Sequence, residues 1–317
     1  MSTKRDAWPA ELVDILEAAL LRTRRRLRES APKLAVPAAA WMTSLSRGAP
    51  VARYFTHPRA FPLLLLPWWL EATIRVSPSR NFQRDVVYST VNGYYAVRLI
   101  DDLMDGDKPP PREVIPALQF FHTEFGHTYT RYFPFGHAFW EAFIDGWLSG
   151  ADAASRDASF ETIDEDRFVH VSAKKTVGTR VPLAAVCHRY GRTELLEPWY
   201  GFVELFGAWH QMLNDMVGWK RDLDSGRTTY FLSQARAGTH STDSIAEWVV
   251  ADGLSWGRGQ LDAWMEKLAI AARGLECPPL VAYLDERQSA IEREWQSLIP
   301  DLAALSRLAS VMRATER

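Results

Sequence analysis

Cysteine is nearly absent from this 317-residue chain: Cys187 and Cys277 stand far apart, without metal-type spacing. That excludes a disulfide framework and leaves two buried, reduced thiols as the expectation, in keeping with a cytoplasmic setting. An excess of either charge is also missing. Lys and Arg number 37 against 39 Asp and Glu, a net charge of -2, so the basic surplus of a nucleic-acid binder is lacking. No apolar run is long enough for a membrane span. The greasiest stretch, FPLLLLPWWLEATI, is cut by Pro62 and Pro67 and meets Glu71, so it reads as core or at most a ligand entrance, and no stable membrane insertion is expected. The opening MSTKRDAWPAELVDILEAALLRTRRRLRES carries acids within its apolar part and no small-residue cleavage site. It reads as a helix rather than a secretory signal, and Arg22 to Arg28 read as a solvated basic face in preference to a membrane-facing one. The eight histidines show no zinc spacing and no Ser-His-Asp order. His210 adjoins Gln211, but adjacent helical positions point about 100° apart, which favours a packing role.

What is abundant is helical periodicity, and alternating strand patterns are hard to find, so the class is all-α. With 47% hydrophobic residues the chain can bury a large core. Punctuation falls at GDKPPPR (106 to 112), YFPFG (132 to 136), LSGADAASRDAS (148 to 159), DLDSGRTT (222 to 229), RAGTHSTDS (236 to 244) and GLECPP (274 to 279). None of these breaks is long enough for an interdomain linker. The expectation is one domain over residues 1 to 317, with about ten or more helices.

RLIDDLMDGDKPPP (98 to 111) places acids just before a helix breaks. Val87, Val91, Tyr94, Arg98, Asp101 and Asp105 recur at three- and four-residue steps, so one helix face starts apolar and ends acidic, with Asp102 beside it. The C-terminal end of a helix is already negative, which makes it a poor place for carboxylates unless Arg98 or Lys108 neutralises them or a cation belongs there. Oxygen ligands one helical turn apart suit Mg²⁺, a hard ion that completes its shell with water and phosphate. A second such face lies in GAWHQMLNDMVGWKRDLDSGR (207 to 227): Gly207, Gln211, Asn214, Gly218 and Asp222 share one side, offering an amide and a carboxylate two turns apart. Lys220, Arg221 and Arg227 cluster at the same end, as a bound polyanion would require.

DDLMD at 101 to 105 resembles the DDxxD motif of class I isoprenoid synthases, and NDMVGWKRD at 214 to 222 resembles the NDxx(S/T)xxxE motif of class I terpene cyclases. Their order and separation fit as well. The resemblance implies an antiparallel α-bundle around a deep central pocket, with three Mg²⁺ ions bridging the motifs and a prenyl diphosphate. Asp101 and Asp105 would bind two ions with Asp102 in support, and Asn214 and Asp222 would bind the third. Gly218 stands where Ser or Thr is expected, and Asp222 where Glu is. KKTVGTR (174 to 180) is similar to the Lys-Thr step of trans-prenyltransferases, as is Gln211 before the second motif, whereas only Arg112 remains of the arginine pair they carry after the first. Asp222, Gly226, Arg227 and Tyr230 are similar to a stretch of squalene and phytoene synthases. The C-terminal VMRATER lacks the Arg-Tyr pair of many bacterial cyclases.

The chemistry implied is loss of diphosphate from an allylic carbon, with Lys175, Arg180, Lys220, Arg221, Arg227 and Tyr230 on the diphosphate, and Tyr94, Gln211 and Gly218 lining the pocket. The carbocation left behind needs a dry pocket with π faces. Phe82, Tyr94, Phe143, Trp147, Phe206 and Trp209 are candidates, although aromatic stripes at helical spacing are usually core. The leading expectation is a terpene cyclase acting on farnesyl or geranylgeranyl diphosphate. The alternatives are a prenyl-coupling enzyme, elongating or head to head, and a non-catalytic isoprenoid-binding subunit. Oligomeric state is left open, a homodimer included.

Overall fold

The computed structural model describes residues 8 to 105, 109 to 157, 163 to 236 and 242 to 315, with side chains left out at Asp105, Lys174, Lys175, Val177, Arg236 and residues 153 to 157, 242, 243 and 298 to 315. Every regular element among them is helical. The chain forms two compact units, one of residues 1 to 147 and 178 to 196, the other of 148 to 177 and 197 to 317.

In the first unit, α1 (Ala10–Ser30) buries Leu12, Ile15, Leu16, Ala19, Leu20, Thr23 and Leu27, a stripe at three- and four-residue steps, against α2 (Pro32–Leu45) and α5 (Arg80–Asp105). Pro32 opens α2 at a position where its missing N–H costs nothing. The short α3 (Val51–Phe55) is followed by α4 (Leu65–Ile74), in which every residue from Leu65 to Glu71 is buried. The proline-cut apolar run is therefore core. Glu71 is fully buried at its end and accepts hydrogen bonds from Gln83 Nε2 at 2.6 Å, the Ser79 amide at 2.8 Å and the Tyr190 hydroxyl at 2.5 Å. Those three donors supply the compensation that a buried carboxylate needs. Helix α5 is buried on nearly all sides from Phe82 to Ala96. It packs against α6 (Ala117–His127) so closely at Gly93 that a Cβ there would lie 2.8 Å from the Phe125 ring. Helix α9 (Arg180–Tyr190) packs on α4 and α5 and ends at Gly191, whose left-handed φ of 64° lets its amide reach the Cys187 carbonyl.

Helix α7 (Phe139–Asp157) runs across the division between the units and through Leu148 to Asp157, where the sequence predicted a break. The second unit continues with α8 (Glu165–Lys175), α10 (Leu196–Asp224), α11 (Tyr230–Arg236), α12 (Thr242–Trp248), a π-helical turn at Val249–Gly253, α13 (Leu254–Gly274) and α14 (Pro278–Thr315). Its core is strongly aromatic. Tyr230 stacks on Phe168 at 4.7 Å between centroids, and Phe168 stacks in turn on Trp264 at 5.7 Å. Trp256 leans on Tyr230, and Trp248 on Phe231. Both cysteines are buried and unoxidised, Cys187 in the first unit and Cys277 in the second. No helix of the described residues is long and apolar enough to cross a membrane.

Candidate active site

Each acidic motif closes a long helix, α5 in the first unit and α10 in the second. On α5, Val87 and Val91 are fully buried, and Tyr94, Arg98 and Asp101 are half-buried, so the shared face opens toward its acidic end as its spacing predicts. Asp102 has a different occupation. Its Oδ1 is ion-paired with Arg98 Nη2 one turn earlier at 2.6 Å, and its Oδ2 accepts a 3.3 Å hydrogen bond from Trp41 Nε1 on α2. With its side chain 12% exposed and both oxygens engaged, Asp102 anchors the end of α5 to α2. The Tyr94 hydroxyl is hydrogen-bonded to that of Tyr54 on α3, and burial raises the Tyr94 pKa well above its ordinary value. The Asp105 side chain and residues 106 to 108, Lys108 among them, lie outside the described residues.

On α10 the residues expected to share a face differ in burial. Asn214 is exposed, while its neighbour Asp215 is 4% exposed and accepts a 2.7 Å bond from Gln211 Nε2. Asp222 is likewise 4% exposed, and Arg221 donates to its Oδ1 from Nε at 3.2 Å and Nη2 at 3.1 Å. A Cβ built on Gly218 would lie 3.2 Å from Asp222 Oδ2 and 2.9 Å from Arg221 Nη2. The glycine thus leaves room beside the carboxylate for the guanidinium, where a Ser or Thr hydroxyl would otherwise stand. After Asp222 the helix is stopped by Gly226 at φ 71°, and the Arg227 amide bonds back to the Asp222 carbonyl at 2.9 Å. The DSGR sequence therefore fixes the turn that presents this end of α10.

The basic residues expected on a diphosphate divide. Lys220 is exposed and paired with Asp224 one turn on, Arg221 is held by Asp222, and Arg227 is half-buried at the turn. Arg180 opens α9 in the first unit, half-buried; the Lys175 side chain is outside the described residues. Tyr230 is 3% exposed inside the aromatic stack, with its pKa pushed up to about 12 by burial and then by Glu165 and Asp164. Its ring is a packing element. Phe82, Phe143, Phe206 and Trp209 are buried among other rings, and Trp147 is half-buried against Phe125.

Among the described residues no three His, Cys, Asp or Glu side chains gather as a self-sufficient metal cage. Mg²⁺ does not demand one, since it keeps several waters and takes phosphate oxygens alongside one or two carboxylates. Asp101, and separately Asn214 and Asp222 Oδ2, are hard oxygen donors of that kind, so each set by itself fits Mg²⁺ in its chemistry. Sequence reasoning missed Trp41, which lies 61 positions from Asp102, and Asp215, whose four-residue step from Gln211 was the available signal.

The sequence matches no family model and no curated protein. Solved structures are similar. A geranylgeranyl pyrophosphate synthetase from the archaeon Geoglobus acetivorans superposes with a TM-score of 0.62 at 12% identity, over 88% of this chain and 98% of that one. An octaprenyl pyrophosphate synthase from Helicobacter pylori gives 0.64 at 12% identity, over 86% and 98%. A geranylgeranyl pyrophosphate synthase from Lactobacillus brevis gives 0.59 at 15% identity, over 85% and 99%. The fold is therefore the all-α fold of class I isoprenoid synthases.

Proposed function

We propose that this chain is a Mg²⁺-dependent enzyme that ionises an allylic prenyl diphosphate and joins the resulting allylic fragment to a second prenyl unit. The observation that carries this reading is an aspartate motif ending α5 within a fold that most of the chain shares with synthases of longer prenyl diphosphates. Coupling is thereby favoured over the cyclisation that the second motif alone suggests.

Asp101 and Asp105 would hold Mg²⁺ from α5, and Asn214 and Asp222 from α10. The metal, when bound, supplies Lewis-acid stabilisation of the charge that develops on the departing diphosphate. The chain's own residues do the rest. Arg98 and Trp41 fix the Asp102 carboxylate, which keeps the last turns of α5 in place. Lys175, Arg180, Lys220 and Arg227 add positive charge for the diphosphate, as preorganised cations do where negative charge forms. Arg221, by occupying Asp222 Oδ1, leaves Oδ2 as the oxygen for an ion.

A second reading, cyclisation of one prenyl chain, draws on the exposed Asn214 and buried Asp222 two turns apart on α10, in place of a second aspartate motif. Incubation with farnesyl or geranylgeranyl diphosphate and Mg²⁺, with and without isopentenyl diphosphate, separates the two by mass spectrometry. A longer diphosphate that requires isopentenyl diphosphate, or a dimeric hydrocarbon, is the expected product. A cyclic hydrocarbon or alcohol from one substrate alone supports cyclisation. If no diphosphate is released from any combination, the chain is a binding subunit and the enzymatic reading is wrong.

A further inference from the structure

Arginine is concentrated in one place of the first unit that no part of the proposed reaction uses. Two hollows, of about 530 and 670 Å³, share Arg22, Arg25 and Arg131 as lining and so form two lobes of one depression. Arg26, Glu124 and His127 complete the smaller lobe; Arg28, Arg84, Asp85 and Tyr132 contribute to the larger. The sequence predicted a solvated basic face for Arg22 to Arg28. Arg25 and Arg28 are exposed as expected, and with Arg22 and Arg26 they border a hollow where the α1 positions meet Arg84 and Asp85 of α5, Glu124 and His127 of α6, and Arg131 of the 3₁₀ turn Thr128–Arg131.

The floor is built rather than loose. Asp85, 10% exposed, accepts from Arg22 Nη1 at 2.7 Å, Arg131 Nη1 at 3.1 Å and the Tyr132 hydroxyl at 2.9 Å. Glu124, 8% exposed, accepts from Arg26 Nη2 at 2.9 Å and the Tyr88 hydroxyl at 2.6 Å. The Arg22 guanidinium also lies over the Tyr88 ring, 3.7 Å from its centroid. Two nearly buried carboxylates thus pin three guanidinium groups at fixed positions. Around them, among the described residues, Arg25 has only Glu29 as an ion-pair partner, at 3.8 Å, and Arg28 and Arg84 have no acid within salt-bridge reach. Six arginines face three carboxylates, in a chain whose overall charge is -2. Like charges held together in a concave site repel one another, and a bound anion relieves that repulsion. Guanidinium forks match phosphate oxygens bidentately, and pinned forks lose little freedom on binding.

We infer that this hollow is a second anion site, taking a phosphate or diphosphate group independently of the acidic motifs. Soluble compounds and lipid headgroups both carry such a phosphate, and the test distinguishes these sources. Inorganic diphosphate is titrated calorimetrically into the full chain in metal-free buffer, and sedimentation is measured with phosphatidylcholine vesicles with and without phosphatidylserine. The rim variant Arg25→Gln/Arg28→Gln/Arg84→Gln leaves the floor pairs intact. The control Lys220→Gln/Arg227→Gln alters the basic residues of the other motif. Diphosphate binding that weakens roughly tenfold or more in the rim variant and persists in the control is the expected result. Vesicle binding lost in the rim variant, with no diphosphate binding, assigns the site to a lipid headgroup. The inference is overturned if neither probe binds the wild-type chain, if the rim variant binds as well as wild type, or if only the control loses binding. None of these readouts depends on turnover, so the proposed reaction stands or falls separately.

Discussion

At the scale of single residues, the roles proposed for the adjacent acids Asp101 and Asp102 are separable by substitution. Asp101→Asn removes a candidate metal oxygen from a half-buried position, so diphosphate release should fall roughly 100-fold or more. Asp102→Asn should instead cost about 1 kcal/mol in urea denaturation, because the amide keeps a single acceptor oxygen for two donors, Trp41 and a partly exposed, screened Arg98, and one of them loses its acceptor. Gly218→Ser tests the other motif. The new Cβ would meet Arg221 Nη2 at 2.9 Å, the movable end of a long side chain, and stand 3.2 Å from Asp222 Oδ2. Arg221 should yield, stability should hold or rise because Gly is a poor helix former, and the Mg²⁺ concentration giving half-maximal activity should drop. His210 sets a pH dependence. Burial, followed by the charge of Arg287 at 3.4 Å, lowers its pKa from 6.5 to about 3. The unfolded chain binds that proton near pH 6.5 and the folded chain only near 3. The stability held by neutral His210 is therefore complete above pH 6.5 and is lost as pH falls toward 3. Subtracting the urea-denaturation profile of His210→Gln from that of wild type should give a line that is flat above pH 6.5 and falls below it.

At the scale of elements, one substitution should have opposite signs on two helices. Gly93 lies where α5 meets α6, and a methyl there would press 2.8 Å from Phe125, a ring already wedged against Phe143 and Trp147 at 4.9 Å. Gly93→Ala should destabilise by about 1 to 3 kcal/mol. Gly201 is exposed on α10 with nothing within 4 Å of the added Cβ. Gly201→Ala should stabilise by about 0.5 to 1 kcal/mol, and urea denaturation of the pair checks both. Helices such as α1, α5 and α10 were legible in the sequence because each carries a stripe of the helical period, and the candidate acidic motifs were legible because they end such stripes. The break expected from residue 148 was misjudged. Ser, Gly and Asp weaken a helix only modestly, and α7 is anchored upstream by Phe139, Phe143 and Trp147. Trp41 on Asp102, and the arginine-lined hollow, were beyond reach because each joins helices distant in sequence, and no local spacing encodes such a meeting.

At the scale of the whole molecule, neither compact unit is a continuous piece of chain. The backbone passes between them at 147/148, 177/178 and 196/197. The first of these passages lies inside α7, and the third falls at the first residue of α10, Leu196. A helix that runs through a boundary cannot keep half its hydrogen bonds when one side melts without fraying the other, so unfolding of either unit removes structure from its neighbour. The two cysteines report on this separately, since each unit holds one. Burial pushes the Cys187 thiol up to about 12, with Glu194 adding to it, and burial also raises Cys277. Neither should react with an aromatic disulfide reagent at pH 8 while the chain is folded, because the thiolate is scarce and the sulfur is covered. Through a urea titration, mass spectrometry of labelled peptides should show Cys187 and Cys277 becoming reactive at the same midpoint. Two separated midpoints would mean that the units unfold independently despite the shared helix.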